Sequence, residues 1–363
     1  MMRLRGWILA VMMCIGLTAS ACRFTVREIG FSTLSRDMYS LVVMTDQSYE
    51  DIENWKKCER RLVDSNIRMV LLHPEDDATH PFTKLIKRKY VRLPSYVLIA
   101  PDDHMLKLSR SSLNEVVETV LESPVRTKLR TAVPDGFAVI LWVHGKKYND
   151  NNEMRKIVKD ARARIVNVMP HMPKEVKNGP FIQEISEEIF QKEKILMWSL
   201  GLMDIPDRPQ AFILYGRGRM MGGAVALKNA REGYLFKLLS MIGADCECGL
   251  DRKWMLGDQV PLLWNKKDQK QLVDIVGFDV DNPMILAEMS RIIDKETNPD
   301  VAGEVSFGPD VIDLNEAFKS SEDEIKPVLR ESEESIDWKY FILILIVIIV
   351  VVGILLYRKN QRG

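Results

Sequence analysis

The sequence predicts a mixed α/β protein with two similar folded regions, held in a membrane by one C-terminal helix. A series of predicted strands and helices occurs twice, and apolar segments lie at both ends of the chain. The 363 residues are 46% hydrophobic and 28% charged, which is ordinary for globular protein and sufficient for two domains. The 51 basic and 51 acidic residues cancel, so the composition argues against a nucleic-acid partner.

The N-terminal segment 1–21 is typical of a secretory signal peptide. Two early arginines precede residues 7–17, which carry no charge, and Ala19-Ser20-Ala21 supplies the small residues of a cleavage site. About eleven apolar residues are too few to span a bilayer. Cys22 follows directly, so a lipid-modified cysteine is the alternative. Lipoprotein signals usually carry Leu where this chain has Ala19, and plain cleavage is therefore favoured.

The C-terminal segment 339–357 is predicted to be a transmembrane helix. Residues 340–357 form eighteen uncharged positions dominated by Ile, Val and Leu. Three basic residues lie in the tail 358–363, whereas residues 322–337 carry seven acids and two bases. By the positive-inside rule the tail is cytoplasmic, and the bulk of the chain is extracytoplasmic, next to the lipid bilayer.

The first predicted domain, 22–130, contains a β-α-β unit followed by a proline, a hairpin and a closing helix. The predicted strands are 39–44, 67–72, 95–100 (after Pro94) and 105–108, and the helices are 48–63 and 112–121.

The second predicted domain, 131–257, repeats this order. Its predicted strands are 137–143, 165–169 and 210–215 (after Pro209), and its predicted helices are 152–164 and 231–241. It carries an insertion of about 19 residues, which we place in the helical segment 181–201. A helical extension, 258–296, and an acidic stalk, 297–338, follow.

This order of elements resembles the thioredoxin-like fold, in two tandem copies. The family has a proline, usually cis, before its third core strand, and Pro94 and Pro209 match that position. Redox members carry Cys-x-x-Cys where the first strand meets the first helix. The chain instead has Thr45-Asp46-Gln47-Ser48 and His144-Gly145-Lys146-Lys147. The resemblance therefore implies non-catalytic copies, which commonly serve as protein-docking modules.

The motif Cys246-Glu247-Cys248 has three possible roles: a tight structural turn, a reducible redox pair, or half of a metal site. A metal site needs two further soft ligands, and none lies nearby in the sequence. We therefore predict no metal and no cofactor. The segment that continues to Gly257 resembles a block of bacterial envelope proteins.

The segment Gly216-Arg217-Gly218-Arg219 follows a predicted strand, as a phosphate-binding loop does. The two arginines could bind an anion through paired hydrogen bonds. The alternative is a hairpin turn with two solvated arginines, because Met221 occupies the position of the third glycine in a dinucleotide fingerprint.

The sequence contains no recognisable catalytic motif, and its five histidines lie at no metal-ligand spacing. We predict a membrane-anchored binding or accessory subunit with a membrane or envelope protein as its partner. The alternatives are a thiol-disulfide oxidoreductase that uses Cys246 and Cys248, and an anion- or ligand-sensing module.

The topology can be tested with a reporter that is active only outside the cytoplasm. Because basic residues are retained on the cytoplasmic side, the reporter should be inactive when fused after Gly363. It should be active when fused after Ser320, on the other side of the predicted span. Activity at Gly363 would contradict the predicted orientation.

Overall fold

The computed structural model describes residues 23–45, 52–73, 77–87, 93–109, 112–244 and 252–295. The predicted signal peptide, acidic stalk, transmembrane helix and cytoplasmic tail therefore lie outside the described residues. Within the described ranges, no helix has both the length and the apolar character needed to cross a bilayer.

The first half of the chain, residues 39–121, contains a four-stranded sheet in the order β2-β1-β3-β4. Strands β1 and β2 are parallel, and the other two pairs are antiparallel. Its elements, after the short N-terminal helix α1 (Val26–Gly30), are β1 (Tyr39–Met44), α2 (Ile52–Leu62), β2 (Ile67–Leu72), α3 (Pro81–Lys87), β3 (Ser95–Ile99), β4 (Met105–Leu108) and α4 (Leu113–Leu121).

Helices cover both faces of this sheet. Leu41 and Val43 face the helices α2 and α4 in one core, and Val42 and Met44 face α3 in another. All six residues of β1 are buried, which explains its unbroken apolar sequence.

The second half of the chain, residues 124–242, has a sheet in the order β6-β5-β7-β8, with β9 also paired to β7. Strands β5 and β6 are parallel, and β7 is antiparallel to β5. Its elements are α5 (Pro124–Asp135), β5 (Val139–Val143), α6 (Tyr148–Val168), β6 (Phe181–Ile185), α7 (Glu187–Lys192), α8 (Lys194–Ser199), β7 (Gln210–Tyr215), β8 (Arg219–Met220), β9 (Val225–Ala226), α9 (Leu227–Arg231) and α10 (Tyr234–Ile242).

The predicted strand 165–169 is wrong. The 21-residue helix α6 continues through it, because Met154, Val158, Ala161 and Ile165 repeat at helical spacing and are buried together. The second strand of this half is β6, which lies at the start of the segment where we placed the insertion. The long helix α6 therefore accounts for part of the additional residues that we had assigned to the insertion.

The mixed α/β class with two sheets is confirmed, and both sheets have the thioredoxin-like order. The Leu93–Pro94 peptide is cis, as expected for a proline at this corner. Arg208–Pro209 is not cis, which corrects our expectation for Pro209. The corner in the second half is built with an ordinary peptide bond.

The predicted boundary between the two domains separates residues from the half on which they pack. Phe31, which follows α1, lies in the core of the second half, although we assigned it to the first domain. The boundary between 130 and 131 falls inside α5, whose Val125, Leu129 and Val133 also lie in that core. Burial of these apolar side chains places Phe31 and α5 with the second sheet.

The start of the predicted extension connects the two halves. Residues 258–264, here called the linking segment, pair with β8 at Gln259 and with Ser65 at Leu263. Asn66, which is 1% exposed, donates to the Val260 carbonyl (3.1 Å) and accepts from the Leu262 amide (2.9 Å). The short helix α11 (Arg252–Met255) precedes the linking segment. Two further helices follow it, α12 (Lys266–Val276) and α13 (Pro283–Lys295).

Replacing Asn66 by Ala should lower the free energy of unfolding by about 2–4 kcal/mol. The change removes two hydrogen bonds and leaves a buried carbonyl and a buried amide unpaired. Chemical denaturation of the full chain, followed by tryptophan fluorescence, measures this loss. Asn149→Ala, on the exposed surface of α6, is the matched control and should change stability little. Equal stabilities for the two variants would contradict the role given to Asn66.

Candidate functional site

The backbone of the predicted anion loop, residues 216–219, packs closely against the N-terminal segment. Gly216 has φ +53°, and a Cβ there would lie 2.2 Å from the Gly30 backbone. Gly218 has φ +72°, and its Cβ would lie 3.0 Å from the side chain of Val260. Both glycines are needed for their backbone angles and for close packing. The glycine pattern therefore arises from packing within the chain.

Arg219 is fully buried and binds backbone carbonyls. Its guanidinium donates to the carbonyl oxygens of Leu34 (2.5 Å), Gly30 (3.3 Å) and Gly257 (3.3 Å). Burial lowers its pKa from the usual value, while the nearby carboxylate of Asp37 acts to raise it. Because its donors are used by the backbone, Arg219 is a structural residue and does not form an anion site with Arg217.

Arg217 is also buried, with 8% of its surface exposed, so the alternative of two solvated arginines is wrong as well. Its Nη2 donates to Gln269 Oε1 (2.6 Å) and to Asp281 Oδ2 (2.5 Å). The guanidinium carbon lies 5.3 Å from the centroid of the Trp264 ring. Arg217 lines a polar cavity together with Arg36, Asp64, Gln259 and Asp281, among others.

In the second half, the position that corresponds to the family's redox motif is closed by backbone contact between Gly145 and Pro209, here called the sealed corner. A Cβ on Gly145 would lie 2.5 Å from the Pro209 nitrogen, so the two backbones are in direct contact. Asn151, 8% exposed, accepts from the Gly145 amide and donates to its carbonyl, both at 2.8 Å. Lys146 forms an ion pair with Asp207 at 2.7 Å across the same corner. No thiol is present there to attack a disulfide.

A cluster beside this corner was missed by sequence reasoning. His144 stacks on Trp142 (4.7 Å between centroids), and its Nε2 lies 2.6 Å from Glu184 Oε1. Arg155 donates to the same oxygen at 2.5 Å. Burial acts to raise the pKa of Glu184, but the hydrogen bonds from Arg155 and His144 outweigh it and leave the pKa below its usual value. The four residues come from two strands and a helix, so no local motif connects them.

In the first half, Thr45 directly follows β1, and the rest of its predicted junction lies outside the described residues. Cys58, on α2, has no exposed surface, and its Sγ donates to Asn114 Oδ1 at 3.4 Å. Burial among apolar side chains makes it a poor nucleophile. No group of three or more potential metal ligands occurs in the described part of the chain.

Cys246 and Cys248 lie outside the described residues, but the chain on both sides of them is described. Gly243 packs against Phe137, just before β5, and the Tyr215 hydroxyl donates to the Met255 carbonyl (2.8 Å). Phe137 and Tyr215 lie at one end of the second sheet, because Val139 pairs with Leu214. Pro209 lies before the other end of β7. The two ends are about 17 Å apart for a six-residue strand.

No protein-family model and no curated protein matches this sequence. Several solved structures align with 55–60% of the chain. The N-terminal domain of alkylhydroperoxide reductase AhpF from Enterococcus faecalis is 16% identical over 55% of this chain and 91% of its own, with a TM-score of 0.17. The first two thioredoxin domains of Naumovozyma dairenensis Eps1p are 10% identical over 55% and 91%, with a TM-score of 0.19.

Human ERp44 in its zinc-bound form is 9% identical over 60% of each chain, with a TM-score of 0.21. Superpositions with TM-scores this low do not support a fold assignment. The thioredoxin-like description therefore depends on the strand order and connections of the two sheets.

Replacing Arg219 by Met should destabilise the protein by at least about 3 kcal/mol, because several buried carbonyls lose their donor at once. Chemical denaturation of the full chain measures the change. Arg208→Met is the control, since Arg208 is a largely exposed arginine of the same half. If Arg219→Met kept the stability of the unchanged protein, the residue would be available for a ligand and its structural role would be refuted.

Proposed function

We propose that this chain is a membrane-anchored, extracytoplasmic accessory subunit that docks a membrane or envelope protein without thiol chemistry. The observation that carries the proposal is the sealed corner at Gly145 and Pro209. Thioredoxin-like catalysis needs a thiol at the N-terminus of the first helix, beside an accessible groove. The second half has backbone contact and an amide clamp there, and the sequence of the first half has no cysteine at its junction.

The oxidoreductase alternative would have to use Cys246 and Cys248 at a different place. Neither strand–helix junction of the sequence contains a cysteine, so a redox role for Cys246 and Cys248 would need a site other than that of the family's catalytic thiols.

The outer strand β6 supports a protein partner. Within the described residues β6 has a neighbour on one side only, and Phe181 and Ile182 are 40% and 37% exposed. Beside them lies a shallow groove whose lining includes Leu129 and Ala132 of α5. An exposed edge strand with apolar side chains is a template for strand addition by another chain. We propose that an extended segment of the partner binds here.

The membrane part of the proposal depends on the sequence. The predicted signal peptide and the basic tail after the apolar segment specify the same orientation. An extracytoplasmic location would place Cys246 and Cys248 in an oxidising compartment, where a structural bridge is the ordinary state of two close thiols.

Replacing Ile182 by Lys should weaken association with the partner, because a charge in an apolar edge opposes pairing with a second strand. Replacing both Cys246 and Cys248 by Ser should leave association intact. Both variants are compared with the unchanged chain by cross-linking in intact cells, followed by quantification of the same cross-linked species. Met203→Lys is the matched control, since Met203 is 65% exposed and belongs to the connection between α8 and β7, outside β6.

The redox alternative gives a different pattern. One cysteine would react with an alkylating reagent well below the usual thiol pKa of about 8.5, and a single-Cys variant would trap a mixed disulfide. That result, or equal association of the Ile182→Lys and Met203→Lys variants, would contradict the proposal.

A further inference from the structure

The polar cavity beside Arg217 has a volume of about 180 Å³ and lies where three parts of the chain meet. Asp64 and Asn66 belong to the first half, Arg217 to the second, and Gln259 to the linking segment. Arg36, from the N-terminal segment, and Asp281, between α12 and α13, complete the polar lining. The cavity is large enough for a ligand of several non-hydrogen atoms.

Three buried polar atoms on this lining have no hydrogen-bond partner among the described residues. They are Arg217 Nε, Gln259 Oε1 and Asp281 Oδ1. The Arg217 and Gln259 side chains come from residues only 8% and 5% exposed. Buried polar atoms are normally satisfied, because an unpaired one costs about 1–3 kcal/mol. One unpaired donor and two unpaired acceptors therefore belong to residues that line the same small cavity.

Two further charges lie at the cavity without a direct partner. Arg36 and Asp64 line it, and neither side chain has a hydrogen bond or ion pair to the residues that the structure describes. Burial and the charge of Arg217 lower the pKa of Arg36, while Asp281 and Asp64 act to raise it. The four ionisable groups sum to zero charge, with two guanidinium donors and two carboxylate acceptors.

We propose that this cavity binds a small zwitterion with the chemistry of a free α-amino acid. The ligand's carboxylate accepts from Arg217 Nε and Arg36, and its ammonium group donates to Asp281 Oδ1, Gln259 Oε1 and Asp64. The proposal is independent of the docking function, because it depends on a different surface of the molecule.

The charge balance distinguishes this ligand from a simple ion. An anion would satisfy the two arginines and leave the acceptors unpaired beside added negative charge. A cation would satisfy the acceptors and leave both guanidinium groups unpaired. A zwitterion meets both needs and keeps the local charge at zero, which is favourable beside buried polar atoms.

The experiment is isothermal titration calorimetry of the full chain with glycine, L-alanine, acetate and methylammonium. We expect saturable binding of glycine or L-alanine, and binding at least roughly tenfold weaker for the two single ions. Arg36→Gln and Asp64→Asn should each weaken amino-acid binding by roughly tenfold or more, because each removes one charged partner. Neither change removes a described hydrogen bond, so both variants should fold, which circular dichroism checks.

Arg60→Gln is the matched control, since Arg60 is an exposed arginine on α2, outside the cavity lining. It should bind glycine like the unchanged chain. Acetate binding as tight as glycine binding would identify a plain anion site and overturn the proposal. Absence of saturable binding for all four compounds would show that the cavity holds only water, and would overturn it too.

Discussion

The buried guanidinium of Arg219 joins three parts of the chain that the sequence separates widely. It lies on β8, and its donors bind carbonyls of the N-terminal segment and of Gly257, which precedes the linking segment. The Leu34 and Gly257 carbonyls lie in irregular backbone, and the Gly30 carbonyl, at the end of α1, also accepts from the Arg217 amide (3.0 Å). A side chain with several donors in a fixed geometry can bind all three carbonyls at once. With Arg219 in place, Gly216 can lie directly against Gly30.

The two halves are connected by polar and apolar contacts of different kinds. Asn66 binds the linking segment through both ends of its amide, and the Tyr39 hydroxyl donates to the Gln259 carbonyl (2.9 Å). On the apolar side, Trp198 of α8 lies in the core of the first half, with its ring 5.9 Å from that of Tyr39. The hydrogen bonds of the Asn66 side chain fix the position of the linking segment. Burial of the aromatic rings stabilises the contact between the two halves. The polar cavity lies next to this junction.

The contrast between the sealed corner and the open cavity bears on function. At Gly145 the backbone lies directly against Pro209, and Asn151 pairs with both the amide and the carbonyl of Gly145. Beside Arg217 the side chains leave three buried atoms unpaired. A place where buried hydrogen-bonding groups remain unpaired is where a ligand gains most, because binding removes a cost already present in the free protein. Of these two places, the one with buried unpaired atoms among the described residues is therefore the cavity beside Arg217 and not the Gly145–Pro209 corner.

The sequence alone determined the class of the fold and the strands β1, β2, β3 and β7, because apolar runs bounded by turn residues are local signals. The family resemblance implied a cis peptide at Pro94 and Pro209, and only the first is cis. The sequence failed at 165–169, where β-branched residues indicated a strand although the apolar spacing of α6 continued through them. It also gave Arg217 and Arg219 the same role. Neither the carbonyls around Arg219 nor the unpaired atoms around Arg217 could be predicted, since they belong to segments tens to hundreds of positions away. Only the tertiary structure decided which arginine serves the backbone and which faces a cavity, because burial and partner choice depend on long-range packing.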